Sequence, residues 1–282
     1  MKLGVALGRL NPAYFVEVTR EAEAFGFESV WLPEHLIFPA SMSHSPFDGQ
    51  EHPPVPPTTP VFDAFGYLCH LAGVTSTIKL GTHVYNLALR HPFVAARAVQ
   101  TLDVVSGGRA LVGIGAGWLP EEWEAAGLDF RTRGARLDEA LSVCQRLWSE
   151  DTVEHHGRFF DFGPVMFEPK PVQRPWPPVL VGGESSAALR RAARSGDGWI
   201  GMAHTFDSVA DPVARLRALR EEHGRQGPFE VVVGGTVAAP ADLERWAGAG
   251  VDRLIVSPWA RSSQAVEGLR SLAALTSTVA GR

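Results

Sequence analysis

Cysteine is nearly missing from this chain of 282 residues, which has two, Cys69 and Cys144. They lie far apart in segments that read as helices, so a disulfide framework is excluded and buried thiols in a reducing, cytoplasmic setting are expected. Apolar runs are short, and none reaches the ~18 residues of a membrane-spanning helix. The amino-terminal M-K-L-G-V-A-L-G-R-L meets the polar Asn11-Pro12 too early for a signal peptide and reads as a strand. Basic clusters are missing as well: the longest is Arg190-Arg191, and the net charge of -5 comes from interspersed signs. Neither nucleic acid nor a membrane surface is an expected partner.

Several catalytic signatures are also lacking. No H-x-x-x-H, H-E-x-x-H or C-x-x-C spacing occurs, and His44 with His52 in a loop is a weak pair, so no metal site is expected. The G-x-S-x-G elbow of a serine hydrolase and the phosphate loop of a nucleotidase are absent. The stretch Arg109 to Trp118, R-A-L-V-G-I-G-A-G-W, has the apolar run and glycines of a dinucleotide fingerprint. It fails that pattern at Trp118, where the third glycine would stand, and no second strand ending in an acid follows it.

What the chain does have is 45% hydrophobic residues arranged in regular alternation. Strand-like runs fall at Leu3–Leu7, Ser29–Leu32, Ile78–Val84, Arg109–Gly115, Val179–Val181, Trp199–Gly201, Glu230–Val233 and Leu254–Val256. Between them, apolar residues at helical spacing predict helices over Pro12–Phe25, Val61–Thr75, Pro92–Val105, Arg133–Trp148, Ala187–Arg194, Asp207–His223, Pro240–Ala249 and Ala265–Val279. About eight such units in one chain favour a single (β/α)8 TIM barrel spanning residues 1–282 over a doubly wound open sheet. Two segments interrupt the alternation. The proline-rich Phe38–Pro60 reads as a lid or binding loop, and Ser149–Pro178, after the fourth helix, reads as an insertion.

A barrel of this kind builds its active site at the carboxyl ends of its strands. Glu34-His35, the Thr82–Asn86 bend, Gly115–Trp118 and Gly182–Ser186 then converge. Consecutive amides and hydroxyls in Gly182, Gly183, Ser185 and Ser186 at a helix start suit a phosphate, although Ser185 or Ser186 as an ordinary helix cap is an equal alternative. Gly115 and Gly117 beside Trp118 admit a flat ring, unless the glycines merely allow close packing. A ring with a phosphate tail is a flavin-like cofactor. His35 is the candidate for proton transfer, with His83 and His91 weaker, and His155-His156 reads as surface.

The segments A-E-A-F-G-F-E-S-V-W-L-P-E-H-L, L-G-T-H-V with R-H-P after it, V-V-S-G-G-R-A-L-V-G-I-G-A-G-W-L-P-E-E-W, H-G-R-F-F-D-F and P-P-V-L-V-G-G-E-S carry a family resemblance. Nearly the whole chain resembles bacterial luciferase-like oxidoreductases, in the branch that uses the deazaflavin coenzyme F420. The resemblance implies a TIM barrel with the cofactor across the strand ends, held against Glu34 and His35. It implies a bulge after the third strand, often with a non-prolyl cis peptide, near His83-Val84, with Asn86 facing the cofactor. Its phosphate contacts fall on Gly182, Gly183, Ser185 and Ser186. One departure stands out: sugar-phosphate dehydrogenases of this branch place a catalytic glutamate directly after the fourth-strand glycines. This chain has Trp118 there, with Glu121 and Glu122 only nearby, which argues against a sugar phosphate and for an apolar or aromatic substrate wall.

The resulting expectation is a cytoplasmic oxidoreductase moving hydride between F420 and a small organic substrate, with His35 as catalyst. Glu34, His35, His83, Val84, Asn86, Gly115, Gly117, Trp118, Gly182, Gly183, Ser185 and Ser186 are the expected cofactor contacts. Trp31, Phe38 and Trp118 read as packing or substrate-pocket walls, and a homodimer is the expected assembly. The alternatives are an FMN-dependent monooxygenase on the same barrel and a non-catalytic flavin-binding protein.

Overall fold

Short runs of Val, Leu and Ile bounded by glycine and proline become strands here because both faces of each are covered. The computed structural model describes residues 1–8, 10–42, 45 and 55–277. In chain order the strands are β1 (Lys2–Ala6), β2 (Ser29–Leu32), β3 (Lys79–Thr82), β4 (Ala110–Ile114), β5 (Thr152–His156), β6 (Asp161–Met166), β7 (Val179–Gly182), β8 (Gly198–Ala203), β9 (Glu230–Gly234) and β10 (Arg253–Val256). The helices are α1 (Phe15–Ala24), α2 (Ala64–Ala72), α3 (Pro92–Ser106), α4 (Pro120–Ala125), α5 (Arg133–Ser149), α6 (Ser186–Ser195), α7 (Ala210–Glu222), α8 (Ala241–Gly248) and α9 (Ala265–Ser277).

Strands β1, β10, β9, β8, β7, β4, β3 and β2 hydrogen-bond in that order and close on themselves. Every neighbouring pair is parallel, so the fold is the (β/α)8 barrel that the alternation predicts. Among the described residues no helix is long and apolar enough to cross a membrane. The outer core lies between strands and helices; both cysteines are free thiols there, Cys144 buried and Cys69 half-buried.

The barrel interior is filled by Trp31, Leu111, Leu180, Ile200, Val232 and Ile255. Trp31, only 1% exposed, lays its indole over Gly4 and Gly81, where any Cβ would collide with the ring. Its Nε1 donates to Ser29 Oγ at 2.9 Å. Of its two sequence readings, packing is therefore the one its position fits: Trp31 lies inside the barrel and not on an open pocket wall.

Where elements differ from expectation, side chains and turns decide the boundary. Asp63 accepts the Gly66 amide at 2.6 Å and caps α2, which starts at Ala64 and not at Val61. Strand β3 ends at Thr82, short of the expected Val84, and the His83–Val84 peptide that follows is cis. Helix α4 is a short helix in addition to those that the apolar spacing predicts. The 149–178 insertion contains an antiparallel hairpin of β5 and β6, bulged between Val153 and His155. Its turn is fastened to α5, where Glu139 accepts the amides of Phe159 and Phe160 at 3.0 and 2.9 Å. His155 also meets Glu139, at 3.1 Å, so it is half-buried while His156 is exposed. Residues 43, 44 and 46–54 of the expected lid, including His44 and His52, lie outside the described residues.

A similar clasp joins α1 to the approach of β3. Glu23 Oε1 accepts the amides of Ser76, Thr77 and Ile78 at 2.8, 2.6 and 2.9 Å. Burial raises the Glu23 pKa, but the amides of Thr77, Ile78 and Ser76 outweigh it and lower the value from 4.5 to about 2. A carboxylate whose folded pKa is depressed stabilises the fold above its unfolded value and loses that contribution as pH falls. Unfolding free energy is thus expected to decline between pH 4.5 and about 2, and Glu23→Gln to flatten part of that decline in urea titrations.

Candidate active site

The polypeptide leaves β2 through Pro33, and Glu34 turns inward, 3% exposed. Arg90 Nη2 donates to Glu34 Oε1 at 2.5 Å, and the Asn86 amide donates to Oε2 at 3.0 Å. Arg90 also lies over the Tyr85 ring, 4.5 Å from its centre. Glu34 therefore binds the segment that follows β3. That segment rejoins β4 beyond the cis peptide: Tyr85 N donates to Gly113 O at 2.8 Å and Gly115 N to Tyr85 O at 3.0 Å.

The glycines of β4 and β7 make this bend possible. A Cβ at Gly113 would collide with the Thr82 carbonyl oxygen. One at Gly115 would lie 2.6 Å from Val84 Cγ2, and one at Gly182 would lie 2.9 Å from Val84 Cγ1. The space beside Gly115 on its side-chain side is filled by Val84, so close packing describes Gly113 and Gly115. Val84 itself is half-buried at the strand ends. Gly117, at φ 76, is the glycine whose backbone conformation excludes a side chain.

His35 stands at the same rim. Its ring centre lies 4.5 Å from that of Phe38 and 5.5 Å from that of Trp118, which meets it edge-on. His35 Nδ1 is 3.2 Å from Glu122 Oε2, and Glu122 is completely buried. The same carboxylate accepts the Leu36 amide at 2.5 Å and Asn86 Nδ2 at 3.4 Å. A carboxylate thus does reach the site four positions beyond Trp118, because Pro120 starts α4 and carries Glu122 back toward β2. Sequence spacing left Glu122 as merely nearby; the E-E pair at a proline helix start was its signal. Arg90 was visible in the R-H-P motif without a role.

The other half of the site is the start of α6. Gly183 takes φ 113, Ser185 caps the helix by accepting the Ala188 amide at 3.2 Å, and Ser186 Oγ accepts Arg215 Nη2 at 2.8 Å. The first amides of a helix have no partner within it, and they attract anions. Of the two serine readings the helix cap is the one observed, at Ser185. Nothing local in the sequence marks Arg215, which comes from α7. Near the opposite end, Trp123 Nε1 is buried without a hydrogen-bond partner, 2.9 Å from where a Gly117 Cβ would lie. An orphaned donor beside Gly117, together with this α6 turn, fits a flat ring with a phosphate tail.

His83 and His91 are held in other ways. His83 Nε2 lies 3.2 Å from Gly201 O, bridging β3 to β8 across the barrel mouth. His91 caps α3, its Nδ1 accepting the Phe93 amide at 3.2 Å. Among the described residues no group of three or more His, Cys, Asp or Glu side chains is placed to hold a metal ion.

The chain belongs to the luciferase-like monooxygenase family, whose model matches residues 2–273. An uncharacterised protein of Mycobacterium tuberculosis is 34% identical over 238 residues, 84% of each chain. Among solved structures, an F420-dependent secondary alcohol dehydrogenase in complex with an F420-acetone adduct superposes with a TM-score of 0.80 at 17% identity, over 99% of this chain and 98% of that one. The FMN-bound oxygenating component of 3,6-diketocamphane monooxygenase from Pseudomonas putida gives 0.66 at 18% identity, over 85% of this chain and 67% of that one. At these identities the two structures bear on the fold alone.

Burial depresses the pKa of His83 below 6.5, outweighing the Gly201 carbonyl and the Glu184 charge. The unfolded chain then takes up this proton first, so the His83 contribution to stability is whole above pH 6.5 and lost below it. Histidine NMR titration is expected to find His83 uncharged at a pH where a free imidazole is half protonated, and His83→Gln to remove its share of the acid destabilisation.

Proposed function

We propose that this chain is an F420-dependent oxidoreductase that moves hydride between the deazaflavin and a small, uncharged organic substrate. The observation that carries the reading is His35, held at the barrel rim by a buried carboxylate and flanked by Phe38 and Trp118. Support for a cofactor with a phosphate tail comes from the donor-rich α6 turn, and the fold is one that an F420-dependent alcohol dehydrogenase shares. Gly182, Gly183, Ser185, Ser186 and Arg215 would hold a phosphate, and Val84, Asn86, Gly117 and Trp118 would border the ring. When bound, the deazaflavin supplies a carbon that takes or gives hydride and reacts poorly with oxygen.

The protein's own part is proton transfer beside two aromatic rings, Phe38 and Trp118. With an alcohol substrate, His35 Nε2 would take the hydroxyl proton as the alcohol is oxidised to the carbonyl. In reduction the same proton returns to the carbonyl oxygen. Arg90 is engaged by Glu34, so it is not offered to an anionic substrate. Phe38 and Trp118, with Leu36 and Ile37 exposed beside them, suit apolar substituents. A cytoplasmic setting and a homodimer belong to the same proposal; the exposed Val94 and Met166 beside one groove support a second copy as partner.

The second reading, an FMN-dependent monooxygenase, is favoured by the family description and by the FMN-bound neighbour. Anaerobic titration of the protein with each cofactor separates the two. Deazaflavin binding without FMN binding is expected, and tight FMN binding with no deazaflavin binding would contradict the proposal. His35→Gln is expected to lower turnover by about 100-fold or more while cofactor affinity stays within a few-fold. Native protein that binds a cofactor but turns over nothing in an alcohol and ketone panel would favour a non-catalytic binding role.

A further inference from the structure

Building on the proton role given to His35 above, we propose that Glu122 is its positioning residue. It holds the imidazole with hydrogen on Nδ1, so that Nε2 is the atom presented to substrate. Glu34, the acid adjacent to His35 in the chain, does not serve this role. Its two oxygens are taken by the Arg90 guanidinium and the Asn86 amide. Glu122 comes from 87 residues further along the chain and is the carboxylate in contact with the ring.

The donor pattern around Glu122 sets the direction of that contact. Oε1 receives the Leu36 backbone N–H, and Oε2 receives the Asn86 side-chain amide. A backbone N–H and an amide NH2 can only donate, so both carboxylate oxygens act as acceptors. With Glu122 as a carboxylate, which has no hydrogen to give, the His35 contact at Oε2 is a bond in which Nδ1–H donates. A neutral imidazole carries one ring hydrogen, and with it on Nδ1 the lone pair is on Nε2. Phe38 and Trp118 restrict the ring on its flanks, so it cannot turn over without breaking these contacts. The Leu36 bond has a second effect: it ties the segment after β2 to α4, so the rim residues that follow His35 move with the group that orients it.

The arrangement can be read in the cofactor-free protein. In protein labelled with 15N-histidine, long-range 1H–15N spectra report the tautomer of each neutral ring, and loss of one signal set in His35→Gln identifies His35. The native protein is expected to show hydrogen on Nδ1. In Glu122→Gln the amide can donate as well as accept, and a shift toward the Nε2–H form is expected. Its kcat should fall at least tenfold, its cofactor affinity should change less than threefold, and Glu122→Asp should restore part of kcat. A native His35 with hydrogen on Nε2, or an unchanged tautomer and kcat in Glu122→Gln, would overturn the proposal. The native spectrum alone decides this if Glu122→Gln does not fold. An Nδ1–H tautomer in a protein with no hydride transfer to any substrate would overturn the functional reading and support the Glu122 assignment.

Discussion

The rim of the barrel depends on one buried ionic contact, that of Glu34 with Arg90. Taking a carboxylate out of water is costly, and it is tolerated where other groups satisfy its oxygens. Here the guanidinium and the Asn86 amide do so, and in satisfying Glu34 they fix the chain that crosses from β3 to α3. With that crossing fixed, Val84 drops onto Gly115 and Gly182, and the Asn86 side chain meets Glu122. Removing either partner of such a pair leaves an uncompensated buried charge, generally about 3–5 kcal/mol. Arg90→Leu would therefore disturb the histidine as well as the fold.

The barrel was largely legible in the sequence, because each strand is a short apolar run and each helix has a regular apolar stripe. Boundaries were less so, since they are decided by single side chains such as Asp63 and by the bend at Val84. The hairpin of β5 and β6 was hidden because it is held by Glu139, an acid whose partners are backbone amides remote in sequence. Trp31 shows the limit of reading a residue type by its place at a strand end. It precedes the site by three positions, yet strand alternation turns it into the barrel.

The site divides in the same way. Glu34, His35, Asn86 and the Gly182–Ser186 turn could be named because motif and strand-end position coincide. Glu122 and Arg215 could not, because what brings them in is the path of α4 and the packing of α7. The glycines of β4 were visible, but their purpose was not: Gly113 and Gly115 accommodate Thr82 and Val84. Trp118 stands edge-on to His35, and Glu122 supplies a carboxylate to the same ring.

Two buried carboxylates thus share one amide residue, Asn86, whose backbone binds Glu34 and whose side chain binds Glu122. Through Asn86 they form a single frame for His35, which makes their contributions interdependent. A double-mutant cycle of Glu34→Gln and Glu122→Gln, read as unfolding free energy in urea, measures this directly. A shared frame predicts a coupling above about 0.5 kcal/mol, whereas effects that add to within about 0.3 kcal/mol would mean two independent contacts and contradict it.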